Sequence, residues 1–137
     1  MIIFTNNPIA VTHFKQTGAD YDVRWMATPA MEVLAAARTA IHQGSVLCSN
    51  PMSGVQTRVS RLADKKADQP IAINPYISLA VTPPQDAVDF GSVKRINEAL
   101  SIYRKNARLR FFAHNDDAVM MFQMADMDVL LSVLAAL

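Results

Sequence analysis

Short apolar segments recur along the first third of the chain, each ended by polar residues or proline. Residues 2–5 form one such run before Asn6-Asn7-Pro8, and residues 45–49 form another before Asn50-Pro51. Between them, residues 21–26 alternate between apolar and polar side chains. Runs and alternations of this length, closed by turn-forming residues, are typical of β-strands. We therefore predict three strands in these segments.

A helix is predicted after each of the first two strands. Asn7 is a preferred N-cap residue and Pro8 suits the first helical position, which predicts a helix over residues 8–16. Thr28-Pro29 repeats this signal before a second helix. Apolar residues at helical spacing give that second helix one buried stripe. The stripe consists of Ala30, Val33, Leu34, Ala37 and Ile41.

The order strand, helix, strand, helix, strand predicts a parallel sheet. Right-handed crossovers would place the second and third strands on either side of the first. Residues 76–82 predict a fourth strand whose direction the sequence leaves open. We predict a single α/β domain over residues 1–137, a three-layer, Rossmann-like sandwich with a short, mainly parallel four-stranded sheet.

The last third of the chain is predicted to be helical. One helix begins near Asp89 or Ser92. The segment that opens with Asn115-Asp116-Asp117 is predicted to form two short helices that meet at Ala125-Asp126, with Asp126 as the cap of the second helix. Methionines cluster in this last segment at positions 120, 121, 124 and 127. They can fill the core, or they can form a face for a homodimer or a protein partner.

Polar residues follow the first and third predicted strands and suggest a ligand-binding edge. Ligands bind parallel sheets beyond the carboxyl ends of the strands, and helix N-termini there favour a carboxylate or phosphate. We therefore predict a small anionic ligand at this edge. The same residue types are also common caps and turns, so a purely structural role is the alternative. The candidate ligand residues are Thr5, Asn6, Asn7, Ser49, Asn50, Ser53, Gly54 and Arg58.

Composition narrows the class of protein. A net charge of +1 over 137 residues argues against nucleic acid as a partner. Every apolar stretch is interrupted before it could span a bilayer, so no membrane association is predicted. The single cysteine, Cys48, and the absence of a basic, then apolar, leader favour the cytoplasm.

Candidate catalytic and cofactor signals are weak. The glycine-rich phosphate loops are missing and potential metal ligands are not clustered, so we predict no cofactor and no metal. An enzyme acting on a small carboxylate or phosphate through Cys48 or Ser53 is the alternative to a binding protein. Three histidines, His13, His42 and His114, are spread along the chain. We therefore favour a non-catalytic protein.

Several polar motifs resemble those of the GrdX family. They are Thr5-Asn6-Asn7-Pro8, Asn50-Pro51-Met52-Ser53-Gly54, Asn74-Pro75-Tyr76 with Ser78, Asp89-Phe90 and Phe122-Gln123-Met124-Ala125-Asp126. Members of this family are small proteins encoded beside the clostridial glycine, sarcosine and betaine reductase genes. The resemblance implies an accessory role near amino-acid reductive metabolism. A structural protein that binds a partner through its methionine-rich end is the third function considered.

Overall fold

A computed structural model describes residues 1–52, 74–105 and 116–137. These residues form three short strands and four helices. In chain order, the elements are β1 (Ile2–Thr5), α1 (Pro8–Thr17), β2 (Asp22–Trp25), α2 (Ala30–His42), β3 (Ser78–Val81), α3 (Phe90–Lys105) and α4 (Asp116–Ala135).

The strands form a mixed sheet in the order β2-β1-β3. β1 is parallel to β2, with Ile3 opposite Val23, and antiparallel to β3, with Phe4 opposite Leu79. The predicted four-stranded, mainly parallel, Rossmann-like sheet is therefore wrong. β3 occupies the place beside β1 that the sequence analysis gave to residues 45–49, and the direction of β3 is now defined.

Residues 45–49 lie along the outer edge of β3 but make only an isolated bridge there, between Leu47 and Val81. Side chains take over the hydrogen bonds that a longer ladder would need. Ser49 Oγ accepts from the Ala80 N–H at 2.8 Å. The Leu47 N–H instead donates to Ser92 Oγ at 2.9 Å. Local side-chain hydrogen bonds compete with regular backbone pairing in this way, and the predicted third strand is lost.

The first two helices follow their sequence signals closely. Asn7 caps α1 through a hydrogen bond from the Ile9 N–H to its Oδ1 at 3.2 Å, and Pro8 is the first helical residue. Gly18 ends α1 with a φ of 64°, which a glycine adopts without steric cost. In α2 the whole predicted stripe is buried. Thr28 does not cap α2, because the N-cap position is Pro29 and no side chain caps it.

Helices cover both faces of the sheet, and successive residues of β1 face opposite sides. Ile2 and Phe4 pack with residues of α2 and α3. Ile3 packs with residues of α1 and α4. Two apolar clusters therefore lie on opposite sides of one small sheet, as the alternating side-chain direction of a strand requires.

The carboxy-terminal segment is one continuous helix. The prediction of two short helices meeting at residues 125–126 is wrong, because α4 continues through both positions. Asp126 does not cap a helix; its buried carboxylate accepts hydrogen bonds from the sheet side. In the part of the chain that the structure describes, no helix is long and apolar enough to cross a membrane.

Candidate functional site

Three of the predicted ligand residues lie at the carboxyl end of β1, where all three are buried. Thr5 and Asn7 have no exposed surface, and Asn6 is 7% exposed. Buried polar groups are stable only when hydrogen bonds replace their contacts with water. The partners of these side chains therefore decide whether they can contact a ligand.

Thr5 and Asn7 belong to a closed ring of hydrogen bonds that includes the carboxylate of Asp126. The Asn7 N–H donates to Thr5 Oγ1 at 3.0 Å. The Thr5 hydroxyl pairs with Ser78 Oγ at 2.7 Å, and Ser78 Oγ donates to Asp126 Oδ2 at 2.6 Å. Asn7 Nδ2 closes the ring by donating to the same carboxylate oxygen at 3.0 Å. The ring joins β1, the start of α1, β3 and α4.

The Asp126 carboxylate in this ring is buried, and burial disfavours its charged form. Asp126 is 3% exposed, and burial raises its pKa, while the hydrogen bonds from Ser78 and Asn7 act in the opposite direction. Burial and the nearby Asp126 also raise the pKa of Tyr103. Because burying a charged carboxylate costs free energy, Asp126 depends on its hydrogen-bond donors for a stable place in the fold.

Asn6 uses its whole amide group to join two loops. Its Nδ2 donates to the carbonyl oxygens of Thr28 and Pro75, each at 2.9 Å. Its Oδ1 accepts from the Ile77 N–H at 2.8 Å. Both N–H groups and the oxygen of Asn6 are therefore satisfied by the backbone.

A third buried asparagine, Asn74, extends this arrangement towards α4. Asn74 Nδ2 donates to the Phe122 carbonyl at 2.9 Å, and Asn74 Oδ1 accepts from the Tyr76 N–H at 2.9 Å. The Tyr103 hydroxyl donates to the Asn74 carbonyl at 3.3 Å. Together these contacts fix the chain that leads into β3.

Sequence reasoning missed the importance of Asp126, Asn74 and Ser78. The sequence favours Asp126 as a cap between two helices, although an acid flanked by Ala125 and Met127 in a helix rich in apolar residues also fits a buried partner of polar strand residues. The asparagine before Pro75 and the serine at the start of a strand offered a similar but weaker signal. Their pairing depends on the antiparallel register of β1 and β3, which the sequence did not define.

The other predicted ligand residues are divided between two environments. Ser49 is buried and bonded to β3, whereas Asn50 is exposed and its Oδ1 accepts from the Met52 N–H at 3.0 Å. Ser53, Gly54 and Arg58 lie outside the described residues, as does the basic segment 56–70. Because β3 lies between β1 and residues 45–49, Asn6 and Asn50 do not follow neighbouring strands.

Asn50 lines a cleft of about 540 Å³ between residues 48–50 and the end of α4. The cleft combines four side chains with polar groups and four apolar ones. Its lining residues are Cys48, Asn50, Asp128, Val129, Ser132, Val133, Ala136 and Leu137. The cleft is wide open to solvent. Its volume falls in the range of small-molecule sites, and most of its lining surface is apolar, as is usual in such sites.

Cys48 is the nucleophile candidate that the structure describes. Its thiol donates weakly to the Val46 carbonyl, with an S···O distance of 3.7 Å. Burial raises the pKa of the Cys48 thiol, although Arg95 and the amino terminus act in the opposite direction. A raised pKa keeps the thiol protonated and unreactive at neutral pH.

Possible metal ligands are dispersed in the part of the chain described here. No group of three or more His, Cys, Asp or Glu side chains in residues 1–52, 74–105 and 116–137 is placed to hold a metal ion.

The fold and this site define a small α/β protein with a mixed sheet and a buried polar network at one sheet end. Residues 2–61 match the family model described as GrdX-like protein. This match confirms the resemblance to the GrdX family, over a segment that includes β1, α1, β2 and α2. No curated protein and no solved structure matches the chain.

Proposed function

We propose that this protein is a non-catalytic accessory protein that binds a small carboxylate-bearing ligand, most simply an amino acid, in the cleft beside Asn50. The observation that carries the proposal is the position of Asn50. Among the predicted ligand residues that the structure describes, it is exposed and lines a cleft, whereas Thr5, Asn6, Asn7 and Ser49 are buried and bonded to the protein.

The polar groups of the cleft suit a ligand with both a carboxylate and an ammonium group. The Asn50 side-chain nitrogen is a donor for a ligand carboxylate, and its oxygen is already used by Met52. The Asp128 carboxylate is an acceptor for a ligand ammonium group. The protonated thiol of Cys48 favours binding over covalent catalysis. Family likeness supports a role near amino-acid metabolism.

A melting screen tests this proposal with four probes: glycine, acetate, methylammonium and phosphate. We expect glycine to stabilise the protein, by about 2.7 kcal/mol at a hundredfold excess over its dissociation constant. Acetate and methylammonium each carry one of the two charged groups, so we expect smaller effects. A response to phosphate alone would assign a different anion to the site.

Two variants distinguish the cleft from the buried network. Asn50→Ala should abolish the glycine effect and leave the ligand-free melting temperature nearly unchanged, because Asn50 is exposed. Asn6→Ala should lower the ligand-free melting temperature and retain the glycine effect. The proposal fails if no probe stabilises the protein, or if Asn50→Ala responds to glycine like the wild type.

A second function, binding of a protein partner through α4, is supported by exposed methionines. Met120 is 58% exposed and Met124 is 55% exposed, whereas Met127 is buried. The described part of α4 therefore uses one methionine for the core and presents others to solvent. Met124→Lys should weaken capture of such a partner without loss of stability. An unchanged partner affinity would exclude this face.

A further inference from the structure

β2 is an edge strand whose outer side has no backbone partner in the described part of the chain. The Asp22 N–H donates to the Met1 carbonyl at 3.1 Å, and the Met26 N–H donates to the Thr5 carbonyl at 2.9 Å. Alternate residues of a strand direct their N–H and C=O groups to opposite edges. The corresponding groups of Val23 and Trp25 therefore point away from β1.

The sequence around β2 is complementary to itself when two copies run antiparallel. With Val23 opposite Val23 of a second copy, Asp22 of each copy lies opposite Arg24 of the other. In the same register, Tyr21 lies opposite Trp25. Opposite charges and aromatic side chains are both favourable as directly opposed pairs in antiparallel sheets. From residue 21 to residue 25 the side chains are aromatic, acidic, aliphatic, basic and aromatic, so each one lies opposite a compatible side chain of the reversed copy.

The backbone supports the same register. Because the N–H and C=O of Val23 both point outward, the two valines of this register would exchange two hydrogen bonds. The hydrogen bonds of Asp22 and Met26 to the β1 side place the Val23 groups in this way. A register centred on Asp22 or on Arg24 would place two like charges directly opposite each other, which is unfavourable in an antiparallel pair.

The side chains at this edge are accessible in a single copy. Trp25 is 46% exposed, and the Asp22 and Arg24 side chains are 56% and 51% exposed. Arg24 pairs with Asp22 of its own strand at 3.0 Å and lies over the Phe4 ring, 5.5 Å from its centroid. Both charges are therefore held on one face of the edge, where a second copy would meet them.

We propose that β2 pairs with β2 of a second copy of this chain, in the register centred on Val23, to give a continuous six-stranded sheet. The interface is short, so the dimer is expected to be weak and to form between micromolar and millimolar concentrations. The proposal is independent of ligand binding in the cleft, because the cleft is lined by Cys48, Asn50 and residues between 128 and 137.

Charge reversal in two complementary variants tests the register. Arg24→Asp gives each copy two acidic residues at the edge, and Asp22→Arg gives each copy two basic residues. Each variant alone should dimerise at least about tenfold more weakly than wild type in sedimentation velocity. An equimolar mixture should restore a dimer, because every cross-strand pair then joins opposite charges.

Trp25 provides an optical readout, since it is the single tryptophan of the chain. Its emission should shift to shorter wavelength as wild-type concentration rises, and in the mixture but not in either variant alone. Arg38→Asp, an exposed change on α2, is the matched control and should dimerise like wild type.

Three results would overturn the proposal. The first is a wild-type monomer at all concentrations up to the millimolar range. The second is a dimer that both charge variants retain at wild-type strength. The third is a mixture of folded variants, verified by circular dichroism, that stays monomeric. A dimer lost in Met124→Lys but retained in the charge variants is a case of the second result and would assign the interface to α4.

Discussion

Removal of the Asp126 carboxylate should destabilise the protein strongly, because two buried donors depend on it. In Asp126→Ala, Ser78 Oγ and one N–H of Asn7 lose their acceptor, while the other N–H of Asn7 keeps the Gln123 carbonyl at 2.8 Å. Each buried donor left unpaired costs about 1–3 kcal/mol. The alanine variant no longer buries a charged carboxylate, and this gain offsets part of the loss. We expect a net loss of about 2–4 kcal/mol in the free energy of unfolding.

Asp126→Asn separates the hydrogen bonds from the charge. The amide oxygen can still accept from Ser78 and Asn7, so we expect a loss of about 1 kcal/mol or less. Urea unfolding followed by circular dichroism measures both variants. Asp128→Ala, an exposed change on the same helix, is the control and should stay within about 0.5 kcal/mol of wild type. If Asp126→Ala is as stable as Asp128→Ala, the two buried donors do not depend on the Asp126 carboxylate.

The raised pKa of Asp126 adds a pH dependence with a defined sign. The folded state holds the Asp126 proton more tightly than the unfolded state, so this group lowers stability as pH rises from the ordinary carboxyl value of about 3.9 through its folded pKa. At pH values above the folded pKa of Asp126, the full cost of burying its charged form lowers the free energy of unfolding. Wild type should therefore gain stability relative to Asp126→Asn as pH falls through the window, and a constant difference between them would contradict the assignment.

Other predictions address the backbone, the loop junction and the thiol. Gly44→Ala should cost about 3 kcal/mol in urea unfolding, because Gly44 has a φ of 108° and a Cβ would collide with the Gln85 backbone; Gly18→Ala, with open space around it, should cost about 1 kcal/mol. Asn6→Ala should cost about 2–4 kcal/mol, since three hydrogen bonds to the backbone are lost, and native-state hydrogen exchange should accelerate at Ile77. Cys48 should react slowly with iodoacetamide at pH 7 and faster as pH rises beyond the ordinary thiol value, because its raised pKa delays thiolate formation.

Local signals predicted the helices better than the sheet. Asn7-Pro8 and Gly18 defined α1 because capping and glycine conformation depend on a few neighbouring residues. The spacing of apolar residues likewise defined the buried face of α2. Sheet order depends instead on which distant segment reaches the edge of β1. Residues 45–49 and β3 are both short and apolar, and the backbone pairing of β3 with β1 decided between them.

The candidate site also depends on contacts between segments that are distant in sequence. Asparagine, serine and threonine at strand ends were predicted as ligand contacts, with caps and turns as the alternative. The hydrogen bonds of Asn7 depend instead on Asp126, more than a hundred residues away in sequence. Sequence spacing could not reveal that this carboxylate is buried beside them. Asn50 has the same residue type as Asn6 and Asn7, and its exposure alone distinguishes it as a candidate ligand contact.

Chemical-shift mapping of the isotopically labelled protein with added glycine shows whether the cleft beside Asn50 binds an amino acid. We expect perturbed amide resonances around the cleft, at residues 48–50 and at Asp128 and Ser132, with a saturable dependence on glycine concentration. The resonances of Asn6 and Asn7 should stay nearly unchanged. Saturable shifts at Asn6 and Asn7 with none at the cleft, or no saturable shift anywhere, would contradict the assignment of the ligand site to the cleft beside Asn50.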